Sequence, residues 1–448
     1  MEKETKRFKS SMFNEYLGCL DGQWVIYNNL SSAMIEVPEN IFTALANNQI
    51  APLSHQSINT LSKARFVVEK EKDEITELRN KKEEIQETNA VIGLQILPTL
   101  ACNFRCDYCY EKPVGNVKRM PRAIMDKIVS WVVDNMRPTT KVLNVMWFGG
   151  EPLLAVDQIK YLSRAFLEIT KDKNISYYSN IITNGYLLTE EIVNMLLENR
   201  VKSCMVTIDG PEGVHDRRRM LKNGGKTWRI IINNVKLAIK KGMAVTIRVN
   251  VDKANIDCVD RLLDDLEEHN ILHEVGYFFG VVTKFGHACS SIDDRLLSMD
   301  ETDKILKQKK ITDIIGRANN FKYRHPADLV GCVASARNSY VVDPDGELYK
   351  CSKIIGDPAE SCGNIANPDP THPNFVKWLD IDNFYVESCS TCSMIPVCRG
   401  KVCAFDILNN SGKYEHCNRE KDHPEYLKSL IKIYRNKKSG HRVQNRRI

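Results

Sequence analysis

Residues 91–111 read VIGLQILPTLACNFRCDYCYE, an apolar run that leads into a loop carrying three cysteines. The stretch GLQILP has the length and character of a buried strand. Cys102, Cys106 and Cys109 follow at C-x3-C-x2-C spacing. Thiolates are the usual ligands of iron–sulfur clusters, and four fill a cubane. Three leave one iron open, and an open metal position is where a small molecule can chelate and react. A zinc knuckle would need a fourth Cys or His close by. None lies between Ala90 and Cys102 or between Cys109 and Cys204.

Outward from this loop the chain repeats strand, loop and helix. Strand-like runs are VLNVMWF, YYSNIIT, SCMVTI, AVTIRVNV and EVGYFFG. Helical stretches between them include PRAIMDKIVSWVVDNM, QIKYLSRAFLEITK and WRIIINNVKLAIKKG. Six strands alternating with helices predict an α/β fold with a parallel sheet and right-handed crossovers. The spacing fits a closed or partly closed barrel, although a doubly wound sheet would share much of the pattern. In barrels, chemistry sits on loops at the carboxyl ends of the strands. Gly149-Gly150-Glu151 follows the second strand, Thr183-Asn184-Gly185 the third and Asp209-Gly210 the fourth, while Arg248 and Asn250 end the fifth.

Composition bounds what else the chain can be. Of 448 residues, 43% are hydrophobic and 27% charged, which suits packed cores and argues against a disordered or fibrous chain. No apolar run approaches the roughly 20 residues that span a bilayer, and the start, MEKETKRFKSSMFNEYL, has no secretory signal. A cytoplasmic protein with no membrane partner is expected. The net charge of +6 is concentrated at one end, where eight basic and no acidic residues follow from Lys428 onward. This tail reads as a solvated end, and a nucleic-acid partner is not expected. Fifteen cysteines in a reducing compartment point to metal binding or reactivity, not disulfides. Four (Cys19, Cys204, Cys258, Cys289) stand alone and read as buried small hydrophobes.

With Tyr108 before the last cysteine, the loop resembles the signature of the radical S-adenosylmethionine superfamily, and Val91 to about Phe279 resembles its partial (β/α)6 TIM-like barrel. The resemblance implies a 4Fe–4S cluster on Cys102, Cys106 and Cys109. S-adenosyl-L-methionine would chelate the open iron, and its cleavage would give a 5′-deoxyadenosyl radical that abstracts a substrate hydrogen. WFGGEP resembles the family's GGE element and would put Gly149, Gly150 and Glu151 beside the cofactor's amine. Thr183, Asn184, Arg248, Asn250 and Tyr108 are further cofactor-binding candidates. His215, Asp216 and Arg219, in TIDGPEGVHDRRRM, read as braces of the fourth loop. An external electron donor of flavodoxin or ferredoxin type is implied.

After about Pro326 the rhythm stops and the chain becomes cysteine-rich and turn-rich, as expected where metal replaces part of a core. Cys332, Cys351, Cys389, Cys392, Cys398, Cys403 and Cys417 fall in an order similar to the SPASM extension, which holds two auxiliary 4Fe–4S clusters. The pattern implies Cys389, Cys392, Cys398 and Cys417 for one cluster and Cys332, Cys351 and Cys403 for the other. A pair of zinc-ribbon sites is the alternative. Two departures stand out. The last internal spacing is four residues instead of three, and the Cys332 cluster takes Cys362, Cys289 or a substrate atom as its fourth ligand, or keeps an open iron.

The N-terminal region predicts a hairpin around Asp21-Gly22, two short helices and a charged helix with Ile75, Leu78 and Ile85 on one face. It resembles the winged-helix element that holds a leader peptide by strand addition. The expected layout is 1–88 recognition domain and linker helix, 89–325 radical S-adenosylmethionine barrel, 326–427 SPASM domain and 428–448 basic tail. Together these imply an oxidoreductase that matures a ribosomally synthesised precursor peptide bearing a leader, by a thioether or other side-chain cross-link. Alternatives are an anaerobic sulfatase-type (formylglycine) maturase, a peptide epimerase and a non-catalytic iron–sulfur or zinc scaffold. In sulfatase maturases an Asp follows the cysteine of the DG-x4-C element and serves as base, whereas Ser352 follows Cys351 here.

Overall fold

Alternation along the strands decides which side of the sheet the helices cover. In a computed structural model, β6 (Val91–Ile96), β7 (Val142–Trp147), β8 (Ser176–Thr183), β9 (Val201–Thr207), β10 (Ala244–Val251) and β11 (Gly276–Val281) pair in sequence, all parallel. The structure describes residues 7–88, 90–109, 119–171, 173–282, 292–306, 332–381, 389–398, 403–409 and 419–438. Ile92, Leu94, Ile96, Leu143, Val145 and Trp147 point to one side and are at most 3% exposed. They share a hydrophobic cluster with Ile128 and Val132 of helix Arg122–Asn135 and with Ile159, Leu162 and Phe166 of helix Val156–Lys171. Each buried aliphatic or aromatic side chain contributes about 1.5–3 kcal/mol. The opposite side of the same strands is more open, with Tyr178 and Phe278 56% and 47% exposed.

Sequence patterning missed two further strands. β12 (Ser339–Val342) pairs parallel with β6, and β13 (Leu348–Tyr349) pairs antiparallel with β12. The sheet order is β11-β10-β9-β8-β7-β6-β12-β13, so among the described residues β11 and β13 are free edges and the sheet is an unclosed barrel. A four-residue run, SYVV, with no helix after it carries too little periodicity to be recognised alone. Gly93 answers β12 directly: a Cβ there would lie 2.5 Å from Ser339 Oγ.

The turn that joins β12 to β13 holds a perturbed acid. Asp343 is 7% exposed and accepts from the Asp345 and Glu347 amides at 2.9 Å each. Burial pushes its carboxyl up to about 6. Between about pH 4 and 6 the native state therefore keeps a proton that the unfolded chain has released, and stability falls as pH rises through that window. Asp343→Asn is expected to flatten this dependence, read as thermal midpoints across the window.

The chain divides into two compact units, one of residues 88–319 with 333–380, the other of 1–87, 320–332 and 381–448. In the second unit, β2 (Asn14–Leu20), β3 (Gln23–Asn28) and β4 (Met34–Val37) form an antiparallel sheet, and β1 (Phe8–Ser10) pairs with β5 (Val67–Glu69). Asp21 and Gly22 turn between β2 and β3 with φ of 51° and 80°, as a two-residue hairpin loop requires. Phe13, Leu17, Ile75 and Leu78 share a cluster with Met394, Ile395, Tyr426 and Leu430, so the two chain ends build one core. A buried amide joins them: Asn29 Nδ2 donates to Glu15 Oε1 and to the Ser393 carbonyl at 2.8 Å each, while its oxygen accepts from the Tyr426 hydroxyl. No helix among the described residues is long and apolar enough to cross a membrane.

Candidate active site

The cysteine loop leaves β6 at the carboxyl end of the sheet and is pinned on three sides. Leu97 N donates to the Val342 carbonyl on β12 at 2.9 Å. Arg105 N donates to Met220 O at 2.9 Å and Lys222 N to Asn103 O at 3.0 Å, which tie it to the loop after β9. The GGE segment after β7 closes the third side, with Gly150 N on Thr99 O at 3.3 Å and Glu151 N on Ala101 O at 2.7 Å. A Cβ on Gly150 would come within 2.4 Å of the Leu100 and Ala101 carbonyl oxygens. Gly149 adopts φ 124°, and its Cβ would meet Thr99 O at 2.5 Å. These glycines are needed for loop-on-loop packing as much as for approach to any ligand.

Cys102, Cys106, Cys109, Tyr108, Gly149 and Gly150 line one cavity. Thr183, Asn184, Arg248 and Asn250 line it too, so nearly all the candidates on the barrel meet there. Glu151 is the exception. It is fully buried behind the wall, where it accepts from Leu153 N (3.0 Å), Thr183 Oγ1 (2.7 Å) and Asn184 N (2.7 Å). Both carboxylate oxygens are thus engaged in fixing the end of β8. Asn184 Nδ2 passes the constraint on, donating to Asn103 Oδ1 in the cysteine loop at 2.7 Å.

Sequence reading placed Arg219 among the braces, but it lines the cavity. His215 and Asp216 do brace: His215 Nδ1 accepts from Asp209 N at 3.2 Å, and Asp216 Oδ1 accepts from Thr227 N and Trp228 N at 2.9 Å each. Arg219 Nη1 donates to the Tyr108 hydroxyl at 2.5 Å, which in turn donates to the Asp209 carboxylate. Asn250 Nδ2 also donates to that hydroxyl, at 3.1 Å, and Asn250 N to Asp209 Oδ1 at 2.9 Å. Burial drives the Tyr108 phenol well above its ordinary range, so it stays protonated. Beyond Asp209 the charges continue. Arg218 Nη1 binds both oxygens of Asp252 at 2.9 and 3.0 Å, and Arg295 bridges Asp252 (2.7 Å) to Asp107 (2.5 Å) of the cysteine loop.

The three thiols stand on one loop and line one cavity, a donor set that suits an iron–sulfur cluster. Burial pushes the Cys102 thiol up to about 11 and raises Cys106 as well, a cost that bound iron would reverse by holding thiolates. No group of three or more His, Cys, Asp or Glu among the described residues converges on one point as a single ion would need. A cubane, whose thiolates bind different irons, does not require that.

The second cysteine group is distributed over both units. Cys351 is half-buried and caps the turn Ser352–Ile354, with its Sγ accepting from Lys353 N at 3.5 Å. Cys362 is 1% exposed and belongs to the same hydrophobic cluster as Tyr340, Leu348 and Phe375. In the other unit, Cys389, Cys392 and Cys398 pack in one cluster, and Cys332 and Cys403 are half-buried. Cys289 and Cys417 lie outside the described residues.

The sequence model of the radical SAM superfamily matches residues 96–266. An uncharacterised protein of Synechocystis is 23% identical over 196 residues, 42% of this chain and 47% of that protein, so the chain spans about half of that relative's length. A serine-type anaerobic sulfatase-maturating enzyme of Klebsiella aerogenes is 23% identical over 337 residues, 71% of this chain and 80% of that enzyme. SuiB of Streptococcus suis, in its structure bound to precursor peptide SuiA, matches with a TM-score of 0.54 at 13% identity, covering 92% of this chain and 99% of that chain. At that identity the likeness is one of fold.

Proposed function

From a chain that carries a radical SAM domain over residues 96–266, we propose a peptide maturase that installs a thioether or other side-chain cross-link in a ribosomally made precursor. The cavity carries this reading: three thiols from one loop face the ends of β7, β8, β9 and β10 within a single concave site. Cys102, Cys106 and Cys109 would hold the 4Fe–4S cluster. Bound there with the reduced cluster, S-adenosylmethionine supplies a hydrogen-abstracting radical. Arg219 offers a cation for the cofactor's carboxylate, and Phe104, Phe148 and Ile182 supply apolar wall for its less polar parts. Thr183 and Asn184, held by Glu151, and Asn250 with Tyr108 form the polar remainder of the pocket.

We assign Cys332, Cys351, Cys389, Cys392, Cys398, Cys403 and Cys417 to two auxiliary clusters in the region 326–427. Residues 1–88 would hold the leader. Among the described residues β4 pairs only with β3, which leaves an edge to which an extended peptide can add as a strand. Two relatives favour a polypeptide substrate, since SuiB is bound to a precursor peptide and the Klebsiella enzyme is sulfatase-maturating. The latter also keeps formylglycine formation as a second reading. Against it, Ser352 occupies the position where that group is expected to carry its basic Asp.

The test is anaerobic incubation of the iron- and sulfide-reconstituted protein with dithionite, S-adenosylmethionine and a short Cys-containing peptide encoded beside its gene. A peptide lighter by two hydrogens, with a Cys-linked cross-link in its fragment spectrum, is expected. A formylglycine product would overturn the cross-link in favour of the second reading.

A further inference from the structure

Arg219 and Arg248 line the cavity, Arg218 and Arg295 belong to the ion network beyond it, and three of the four have anionic or phenolic partners. Arg218 and Arg295 bind Asp252, and Arg219 binds Tyr108. Arg248 differs. Among the described residues it forms no ion pair: its Nε donates to Asn250 Oδ1 at 2.7 Å, and its guanidinium stands 5.5 Å from the centroid of the Phe278 ring. Nη2 lies along the bare backbone of Gly280, where a Cβ would approach it to 3.3 Å. The fork of the guanidinium thus lies in a trough cleared by a glycine, half-buried and open to the cavity.

The strand register shows what Arg248 faces. Parallel pairing puts Arg248 level with Thr207 and Phe278, one pleat below Asn250 and its bond to Tyr108. On this side of β6 to β11 the residues are aliphatic, aromatic, amide, hydroxyl or glycine, and no Asp or Glu occurs. Arg248 is the one charged residue on this side of the six strands. Tyr178 and Phe278 leave about half of their surface exposed on it.

We infer that this side of the sheet receives the substrate peptide, with Arg248 binding an Asp or Glu side chain next to the residue modified. The inference rests on the maturase reading and adds the chemical class of the segment: extended, neutral to acidic, without Lys or Arg beside the reacting residue. A cation on strands that carry no other charge on this side favours a carboxylate by charge-assisted hydrogen bonds and opposes a basic side chain by repulsion.

The probes are two acetylated, carbon-14-labelled pentapeptide amides, Gly-Ala-Asp-Ala-Gly and its Asn twin. Their binding to the reconstituted full-length protein is measured by anaerobic equilibrium dialysis with S-adenosylmethionine present. The Asp peptide is expected to bind about 10- to 100-fold more tightly, the range of one hydrogen-bonded charge pair. Arg248→Gln should erase the preference, and Arg248→Lys, which keeps the charge and guards against misfolding, should retain part of it. Equal binding of the twins, or no binding of either, overturns the inference. So does an Arg248→Gln protein that loses S-adenosylmethionine binding but keeps the preference, which would make Arg248 a cofactor ligand. Dithionite is then added to the same samples and 5′-deoxyadenosine is quantified, which separates the two levels. Its absence counts against the maturase reading, whereas its presence with equal peptide binding counts against the carboxylate site alone.

Discussion

The Asp252→Ala protein is expected to lose about 3–5 kcal/mol of folding stability, the usual cost of removing one partner from a buried charge network. Asp252 is fully buried and holds two arginines at once. Arg218 is itself 5% exposed, so without the carboxylate its guanidinium keeps only the distant Asp209, at 3.8 Å, and the Asn250 carbonyl, at 3.4 Å. Arg295 has somewhat more access to water and can relax outward, but that movement gives up its ion pair with Asp107 of the cysteine loop. Denaturant titration gives the number. Asp252→Asn, which keeps an acceptor of the same shape, should fall between wild type and alanine. A loss below about 1 kcal/mol for the alanine variant, the range of exposed ion pairs, would mean the network does not support the fold.

Glu151→Ala should weaken S-adenosylmethionine binding at least about tenfold, because three donors lose their acceptor together and each orphan costs about 1–3 kcal/mol. Those donors are Leu153 N, Thr183 Oγ1 and Asn184 N, and Asn184 is the link to Asn103 beside Cys102. Burial raises the Glu151 carboxyl, and the hydrogen bonds from Asn184 N, Thr183 Oγ1 and Leu153 N oppose that shift. Glu151→Gln should bind the cofactor between the two, since its amide nitrogen cannot accept. Equilibrium dialysis measures both. Undiminished affinity in Glu151→Ala would show that the end of β8 is positioned without it.

The parts of this site that were legible in the sequence are those with local signals. The C-x3-C-x2-C spacing and the six strands could be read because each is a pattern within a few residues. The loops carrying Thr183, Asn184 and Asn250 could be placed because strand ends fix them. What escaped depends on distant pairing. Arg295 meets Asp107 across 188 positions, and Asn29 meets Ser393 across 364, with nothing in either neighbourhood to announce it. β12 joins β6 because Gly93 admits Ser339, a fit visible only once both are in space. Arg219 was passed over for another reason. In the run Arg217-Arg218-Arg219 a helix end decides which guanidinium turns inward, and sequence alone does not distinguish the three.

The claim on which the rest depends is that the loop from Cys102 to Cys109 holds a cluster that cleaves S-adenosylmethionine. It is tested most directly by reconstituting the protein with iron and sulfide under anaerobic conditions, adding dithionite and S-adenosylmethionine, and quantifying 5′-deoxyadenosine by chromatography. Wild type should form it over many minutes, and Cys106→Ala should form none while still carrying iron at its other cysteines. An iron-loaded wild type that forms no 5′-deoxyadenosine, or a Cys106→Ala protein that forms it undiminished, would contradict the claim.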